Sequence, residues 1–270
     1  MTFLTRAIRV STNSGMDTVN SRYSRHILLN VIGQEGQTKI EAARVLVTGQ
    51  GALGSLISVL LARAGVGFLR IVDKDLPEIH NLHRQILYDD DDCCGDITKV
   101  QAARRHLVKS APSLEIDAVH AEITAENVDS IVNSVDVVVD AVDNSETRYL
   151  VNDAALRNGI PYVFGGAVET AGNVMTIVPG VTPCLRCVWP VPEDVRGHQR
   201  ASTVGVLSSL ATLVASVQVT EVMKLLVGDL DKLIPGLLTI DVWRNHYMVV
   251  SLERSPGCLC SQYLRKVQNP

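Results

Sequence analysis

The stretch Val45-Leu-Val-Thr-Gly49-Gln50-Gly51-Ala-Leu-Gly54 decides the fold of this chain. It joins an apolar, β-branched run to the pattern Gly-x-Gly-x-x-Gly, and an apolar segment follows. A second β-branched run, Phe68-Leu-Arg-Ile-Val72, then ends in Asp73. A strand, a glycine turn, a helix and a second strand that ends in an acid form the arrangement that binds an adenosine phosphate. The sequence therefore predicts a nucleotide-binding βαβ unit.

Each glycine of this stretch has a predicted role. Gly49 forms the tight turn, and Gly51 lets backbone N–H groups approach a phosphate. Gly54 lets the helix pack against the strand, and Asp73 offers its carboxylate to the ribose hydroxyls. The alternative is a glycine-rich turn without a ligand. The order of strand, helix, second strand and terminal acid favours the nucleotide.

Strand and helix patterns alternate beyond this unit, which predicts an α/β fold. The predicted helices cover residues 53–64, 99–110, 125–133 and 147–158. The later predicted strands cover residues 114–121, 135–140 and 162–164, the last ending at Gly165-Gly166. Such crossovers give a Rossmann-like, doubly wound and mostly parallel sheet. Residues 174–178, 237–241 and 248–252 are predicted to extend it as antiparallel C-terminal strands.

Acidic residues follow the valine-rich strand at residues 135–140. Asp140 and Asp143 stand at its carboxyl end, and the carboxyl ends of parallel strands share one edge of a sheet. We therefore expect both side chains near Asp73, Asp140 in a structural role.

The segment at residues 76–99 has no apolar period, and long unpatterned segments in compact domains are usually functional or disordered. It holds Asn81, Arg84 and Lys99, whose polar groups suit phosphate, so we favour a function. The acidic run at residues 89–92 is expected to be solvated.

The ends of the chain have simpler patterns. Residues 1–20 are expected to form a flexible N-terminal tail, and residues 21–270 a single domain. Residues 22–43 are predicted as helical, with a break near residues 33–36. Residues 204–227 are strongly apolar yet contain Glu221 and Lys224, which favours a buried helix, with a dimer interface as one setting, over a membrane span.

Composition narrows the function classes. A hydrophobic content of 46% indicates ample core, and a net charge of −4 gives no general attraction to nucleic acid or an anionic membrane. Six cysteines occur as close pairs, which suggests metal or redox use before structural disulfides. We expect a cytoplasmic protein.

Taken together, these residues resemble the ThiF/MoeB/HesA family, the prokaryotic relatives of ubiquitin-activating enzymes. The resemblance covers residues 22–262 and lies in several motifs in the family's order. They are Arg22-Tyr-Ser-Arg25, the glycine stretch, Asp73-Lys-Asp75, Asn81-Leu-His-Arg84-Gln85, Gly95 through Lys99, Asp140-Ala-Val-Asp143-Asn144, Pro183-Cys184-Leu-Arg-Cys187 and Pro256-Gly-Cys258-Leu-Cys260.

The resemblance implies an ATP- and magnesium-dependent adenylyltransferase that activates the C-terminal carboxylate of a small ubiquitin-like sulfur carrier protein or of a peptide. Arg84 and Lys99 would contact the triphosphate, Asp143 would ligate magnesium, and Arg25 would reach the site of the partner subunit in a homodimer. These are the implied catalytic residues. The implied nucleotide-binding set is Gly49, Gly51, Gly54, Asp73, Asn81, Arg84, Gln85 and Lys99.

The cysteine pairs resemble the family's structural zinc site, which Cys184, Cys187, Cys258 and Cys260 would form. Cys258-x-Cys260 is one residue shorter than the family's usual second pair, so free or disulfide-bonded cysteines remain the alternative. The family often carries a reactive cysteine in the segment at residues 196–206, and this chain has none there. We therefore expect the reaction to stop at the acyl-adenylate, with a sulfur donor protein acting in trans.

Two other function classes fit parts of the sequence. A non-catalytic partner subunit of a heterodimeric activating enzyme would share the fold but tend to lose the nucleotide residues. A nicotinamide-dependent oxidoreductase would share the glycine turn, but neither the cysteine pairs nor the Asn81 to Arg84 segment belongs to that chemistry. Both are ranked below the adenylyltransferase.

Overall fold

The computed structural model describes residues 22–190 and 201–262. The predicted tail at residues 1–20 lies outside them. The helices are α1 Ser24–Ile27, α2 Gly33–Ala42, α3 Ala52–Ala64, α4 Lys99–Ser110, α5 Val128–Val132, α6 Ser145–Asn158, α7 Leu185–Val188, α8 Ala201–Val204, α9 Ser208–Val227 and α10 Leu259–Gln262. The strands are β1 Arg44–Thr48, β2 Phe68–Asp73, β3 Glu115–His120, β4 Val137–Asp140, β5 Tyr162–Val168, β6 Ala171–Ile177, β7 Leu237–Asp241 and β8 His246–Val250.

The strands form one eight-stranded sheet in the order β3-β2-β1-β4-β5-β6-β7-β8. Neighbours from β3 to β5 are parallel, and β6, β7 and β8 add antiparallel strands at the other end. Because the order reverses between β1 and β4, the sheet has a switch point there, and ligands bind at such points in open α/β sheets. The predicted fold class is confirmed.

Both faces of the sheet are covered. Helices α2, α3, α4 and α9 contribute to one hydrophobic cluster, and α5, α6 and the segments around the cysteine pairs contribute to the other. The strands β1 and β4 are buried along most of their length, which explains why they read as continuous apolar runs.

Helix α9 has a mean hydropathy of 1.6 over its most apolar window and is long enough to cross a membrane. It instead packs on α3 and β5, and 44% of that window is buried. Its buried Glu221 accepts a hydrogen bond from the Thr176 hydroxyl at 2.7 Å. It is therefore a partly buried core helix, as the sequence predicted.

Two predicted boundaries are wrong. The helical break falls at residues 28–32, and Gly36 lies inside α2, where a Cβ would sit 3.1 Å from Val227 Cγ1. Gly36 therefore permits close packing instead of ending the helix. Strand β5 does not end at Gly165-Gly166 but runs through both glycines, because β6 pairs with it as far as Val168.

The acidic run at residues 89–92 is also not simply solvated. Asp92 is fully buried and bonds both Arg105 and His106 of α4, the latter at 2.8 Å. Asp89 and Asp92 form a reciprocal capping box around a short 3₁₀ turn. These contacts attach the segment between β2 and α4 to α4 itself, whose first residue is Lys99.

Candidate active site

A cleft of about 1120 Å³ opens at the carboxyl ends of the parallel strands. The glycine turn, the end of β2, the segment between β2 and α4, and the start of α6 line it. The end of β5 and the region of the first cysteine pair form its far wall. Small-molecule sites usually measure about 300–1,000 Å³, so this cleft has room for a nucleotide and part of a second substrate.

The glycine turn has the geometry that its spacing predicts. Gly49 has φ +89°, and a Cβ there would lie 2.6 Å from the Ala141 carbonyl oxygen. A Cβ at Gly54 would lie 1.9 Å from the Gly49 carbonyl oxygen, so α3 can approach the turn only because Gly54 has no side chain. Gly51 is the N-cap of α3 and lines the cleft. The helix therefore presents its positive end to the cleft.

Asp73 ends β2 and lines the same cleft. One carboxylate oxygen accepts the Gln50 N–H at 2.7 Å, and the other accepts the Asp75 N–H at 2.8 Å. Burial raises the pKa of Asp73, while the charge of Lys99 opposes this shift. Each oxygen has a second lone pair, so the carboxylate can still accept ribose hydroxyls. That contact stays a prediction.

Arg84 lies in the cleft on the segment between β2 and α4. Its guanidinium donates to the His80 carbonyl at 3.0 Å and to Asn81 Oδ1 at 2.9 Å. Burial lowers the pKa of Arg84, and the charge of Asp143 counteracts this. Gln85 is buried beside Gly51, and its Oε1 has no hydrogen-bond partner among the described residues. This orphaned oxygen marks a place where a bound group could donate.

Charge pairing separates Arg84 from the other cations of the cleft. Each of the others holds a carboxylate: Lys74–Glu122 at 2.5 Å, Lys99–Asp75 at 2.9 Å, Arg148–Asp140 at 2.6 Å and Arg186–Asp153 at 2.6 Å. Over the described part of the chain, Arg84 has no carboxylate ion pair; its hydrogen bonds go to the His80 carbonyl, Asn81 Oδ1 and the His83 ring. Its charge is therefore available to an incoming anion.

Lys99 stands at the first position of α4 and is 5% exposed. Thr98 and Gln101 form a capping box that fixes the start of this helix. The Lys99 backbone N–H bonds the Asp75 carbonyl at 2.9 Å, while its ammonium bonds the Asp75 carboxylate. These two hydrogen bonds hold Asp75 and Lys99 together, although the two residues are far apart in the sequence. The ammonium faces the cleft as a held point charge.

Asp143 follows β4 and is exposed at the cleft. It is not the cap of α6, because Asn144 Oδ1 accepts the Thr147 N–H at 2.9 Å. Its carboxylate is therefore not used by the helix and is a hard oxygen donor suited to magnesium. Arg25 is exposed on α1 and does not line the cleft of its own chain. Of the predicted nucleotide and magnesium residues, only Gly54, which packs behind the glycine turn, and Arg25 do not line the cleft of this chain.

Two arginines of the cleft were not predicted from the sequence. Arg148 of α6 lies over the Phe164 ring and bonds the buried Asp140. Burial disfavours the charge of Arg148, but Asp140 raises its pKa, so the guanidinium stays protonated. Its Nη2 donates to the Val142 carbonyl at 2.7 Å, next to Asp143. The only sequence signal was position: Arg148 lies one helical turn beyond the cap Asn144.

Arg186, the second, lies between the cysteines of the first pair. It forms a two-pronged contact with Asp153 and lies over the Tyr149 ring, so it forms part of the cleft wall. Its neighbour Leu185 donates its backbone N–H to the buried Asn152 at 3.3 Å. The first cysteine pair is therefore attached to α6, and Asp143 directly precedes the N-cap of this helix.

The four cysteines of the two distant pairs meet in one cluster. Their sulfurs all lie within 4.8 Å of one another, with Cys184–Cys258 at 3.6 Å and Cys187–Cys260 at 3.4 Å. All are free thiols, so the disulfide alternative is not seen. Burial raises the pKa of Cys184, and burial together with neighbouring thiols raises that of Cys260 to about 12. Tetrahedral zinc–sulfur bonds of about 2.3 Å place sulfurs about 3.8 Å apart, so the cluster fits a metal ion.

Comparison with known proteins agrees with this geometry. The ThiF family model matches residues 23–260. The chain belongs to the ThiF family. It is 40% identical over 227 residues to the sulfur carrier protein ThiS adenylyltransferase of Bacillus subtilis, covering 84% of this chain and 66% of that protein. It is 38% identical over 237 residues to the SAMP-activating enzyme E1 of Haloferax volcanii, covering 88% and 87%.

Solved structures give the same fold. Escherichia coli MccB superposes with a TM-score of 0.77 at 23% identity, over 90% of this chain and 72% of that one. At this identity the likeness concerns the fold alone. The predicted class, an adenylyltransferase of the ThiF type, is confirmed by the family match and by relatives that this chain covers over most of their length.

Proposed function

We propose that this chain uses ATP and magnesium to adenylate the C-terminal carboxylate of a small sulfur carrier protein. One observation carries the proposal: the cleft that holds the glycine turn also holds Arg84, a cation without a carboxylate partner. A triphosphate that extends from Gly51 towards Arg84 and Lys99 would contact the N-terminus of α3 and two positively charged side chains. The names of two relatives support a sulfur carrier as the acceptor.

The chemistry requires positioning more than a reactive side chain. The acceptor carboxylate is ionised at neutral pH, so it needs no general base. One of its oxygens attacks the α-phosphorus, a P–O bond forms, and the bond to the leaving pyrophosphate breaks. Arg84 and Lys99 offset the negative charge that otherwise repels the carboxylate, and they orient the phosphates. Product release then yields the acyl-adenylate and pyrophosphate.

Magnesium would be held by Asp143 and by phosphate oxygens, and when bound it screens the charge of the leaving group. Asp143 fits this role because Asn144 caps α6 in its place. The Arg148 contact with the Val142 carbonyl holds the backbone just before Asp143. Arg148 is therefore a positioning residue for the metal ligand.

The assembly and the second metal are part of the same proposal. Zinc in the cysteine cluster would join the C-terminal segment to α6 and add folding energy, without taking part in the reaction. Arg25, exposed outside its own cleft, would complete the partner's site in a homodimer. A cytoplasmic setting keeps the thiols reduced, and a sulfur donor protein would act on the adenylate in trans.

ATP–pyrophosphate exchange tests the proposal. The enzyme is assayed with magnesium against sulfur carrier proteins and short peptides, each paired with a form whose C-terminal carboxylate is amidated. We expect exchange with a carrier protein and its loss on amidation. Exchange with peptides alone would replace the carrier by a peptide substrate, and ATP binding without exchange would favour the non-catalytic subunit.

A further inference from the structure

Gln50 lies between the first two glycines of the turn and is fully buried. Its side chain folds back on the turn: Nε2 donates to the Gly49 carbonyl at 3.1 Å, and Oε1 accepts the Ser58 hydroxyl at 3.1 Å. Its backbone N–H donates to the Asp73 carboxylate at 2.7 Å. Gln50 does not line the cleft, whereas its neighbours Gly49 and Gly51 do. Gln50 therefore supports the turn from inside the protein.

The Gln50 carbonyl accepts a hydrogen bond from the Tyr88 hydroxyl at 2.8 Å. Tyr88 is buried and belongs to the segment between β2 and α4, which is distant from the turn in sequence. Burial and the negative charge of Asp73 raise the pKa of Tyr88 well above its ordinary value, so the hydroxyl stays protonated and is the donor. The next residues form the capping box of Asp89 and Asp92, which is bonded to α4. The Tyr88 hydroxyl is therefore a fixed donor.

The Gln50 carbonyl and the Gly51 N–H belong to one peptide group. In a trans peptide these two groups point in opposite directions. Because Tyr88 does not line the cleft, its hydrogen bond turns the carbonyl away from the cleft and the Gly51 N–H towards it. The Gly51 N–H has no hydrogen-bonding partner among the described residues. It is therefore an available donor directly before α3, whose N-terminus favours an anion.

We propose that Tyr88 is a positioning residue for the triphosphate: its hydroxyl holds the Gln50 carbonyl so that the Gly51 N–H donates to a phosphate oxygen. The inference rests on the proposed function, because the phosphate is that of ATP. Without the hydroxyl, this peptide group is free to rotate, which brings a carbonyl oxygen towards the phosphates in place of a donor. Adenosine has no phosphate, so its binding does not depend on the orientation of this peptide group.

Calorimetric titration with ATP, in the presence of magnesium, and with adenosine tests the inference. Tyr88→Phe removes only the hydroxyl, and we expect the Kd for ATP to rise about tenfold while the Kd for adenosine stays within about twofold of the parent value. Tyr149→Phe is the matched control, because it removes a hydroxyl bond of 2.7 Å to the Trp189 carbonyl on the far wall of the cleft. Its ratio of ATP to adenosine affinity should equal that of the parent. An equal loss of both affinities in Tyr88→Phe, or no loss, would overturn the inference.

An NMR signal reports on the peptide group itself. Gln50–Gly51 is the only Gln-Gly pair in the sequence, so glutamine labelled with ¹³C at its carbonyl and glycine labelled with ¹⁵N together mark one peptide group. We expect ATP, but not adenosine, to shift this amide proton in the parent, and Tyr88→Phe to shift the carbonyl signal and reduce the effect of ATP. A parent amide signal that does not respond to bound ATP contradicts the inference, even where Tyr88→Phe does not fold. Absence of ATP binding to the parent defeats the proposed function itself, whereas parent-like ATP binding by Tyr88→Phe defeats only this inference.

Discussion

The cationic residues of the cleft differ in whether a carboxylate of the protein already neutralises their charge. Lys99 and Arg148 are each held by a carboxylate, so they contribute fixed geometry as well as charge. Arg84 is positioned by the neutral oxygens of His80 and Asn81, which orient it without cancelling its charge. A phosphate that binds Arg84 therefore gains a full charge-assisted hydrogen bond. Loss of Arg84 should affect binding of the anion more than the fold.

We expect Arg84→Ala to reduce pyrophosphate exchange by about 100-fold or more, the usual cost of losing a group that stabilises developing charge. Its thermal stability should stay near that of the parent, because Arg84 is only half-buried. Arg157→Ala, which removes a surface ion pair with Asp129, is the matched control and should retain activity. Full exchange activity in Arg84→Ala would contradict the assigned role.

At the scale of elements, the glycine turn and α3 act as one unit. The helix begins at Ala52, directly after the turn, and its buried face includes Leu56 and Ile57. Close contact between Gly54 and the Gly49 carbonyl sets the angle at which the helix N-terminus faces the cleft. A side chain at this point would separate the turn from the helix. We therefore expect nucleotide affinity to depend on Gly54, although this residue does not line the cleft.

Gly54→Ala should lower the free energy of unfolding by at least about 2 kcal/mol and weaken ATP binding, because its Cβ would overlap backbone that cannot move away. Gly95→Ala is the control, since a Cβ there meets nothing within 4 Å and its φ is not in the left-handed region. Chemical denaturation and ATP titration measure both effects. A Gly54→Ala protein with the stability of Gly95→Ala would contradict the packing argument.

The whole molecule is joined by contacts between distant segments. The cysteine cluster connects α7 to the C-terminal α10, and Asn152 and Asp153 connect α7 to α6. Metal in this cluster would therefore stabilise the C-terminal end and also support the wall of the cleft. In the proposed homodimer Arg25 would add a contact between subunits, because it does not line the cleft of its own chain.

Metal removal should lower the melting temperature by about 10 °C or more, since a domain of this size loses roughly 2–4 °C per kcal/mol and structural zinc contributes several kcal/mol. Elemental analysis should find one zinc per chain, and Cys260→Ser should abolish it. Cys94→Ser, at an exposed thiol outside the cluster, should retain the metal. A purified protein without zinc and with unchanged stability after chelation would contradict the site.

Subunit mixing tests the placement of Arg25. Arg25→Ala and Arg84→Ala should each be inactive as homodimers, but a mixed dimer contains one intact site if Arg25 acts across the interface. Random exchange of equal amounts makes half of the dimers mixed, so about a quarter of parent activity should return. Absence of recovery, with mixed dimers verified by mass spectrometry, would place Arg25 outside the site.

The sequence by itself determined the parts of this protein that local patterns encode. The strand and turn at residues 45–54, the alternation of strands and helices, and the acids at strand ends follow from side-chain period and glycine conformation. These local patterns were enough to predict the fold class, the family and the position of the cleft, because parallel strands bring their carboxyl ends to one edge of the sheet.

The tertiary structure alone decided what depends on register and packing. It brought Cys184 next to Cys258, buried Asp92 against α4, and placed Arg148 and Arg186 in the cleft. No local period distinguishes such residues from ordinary surface or core positions. Their neighbours come from distant parts of the chain, so only the assembled sheet and its helices fix their contacts.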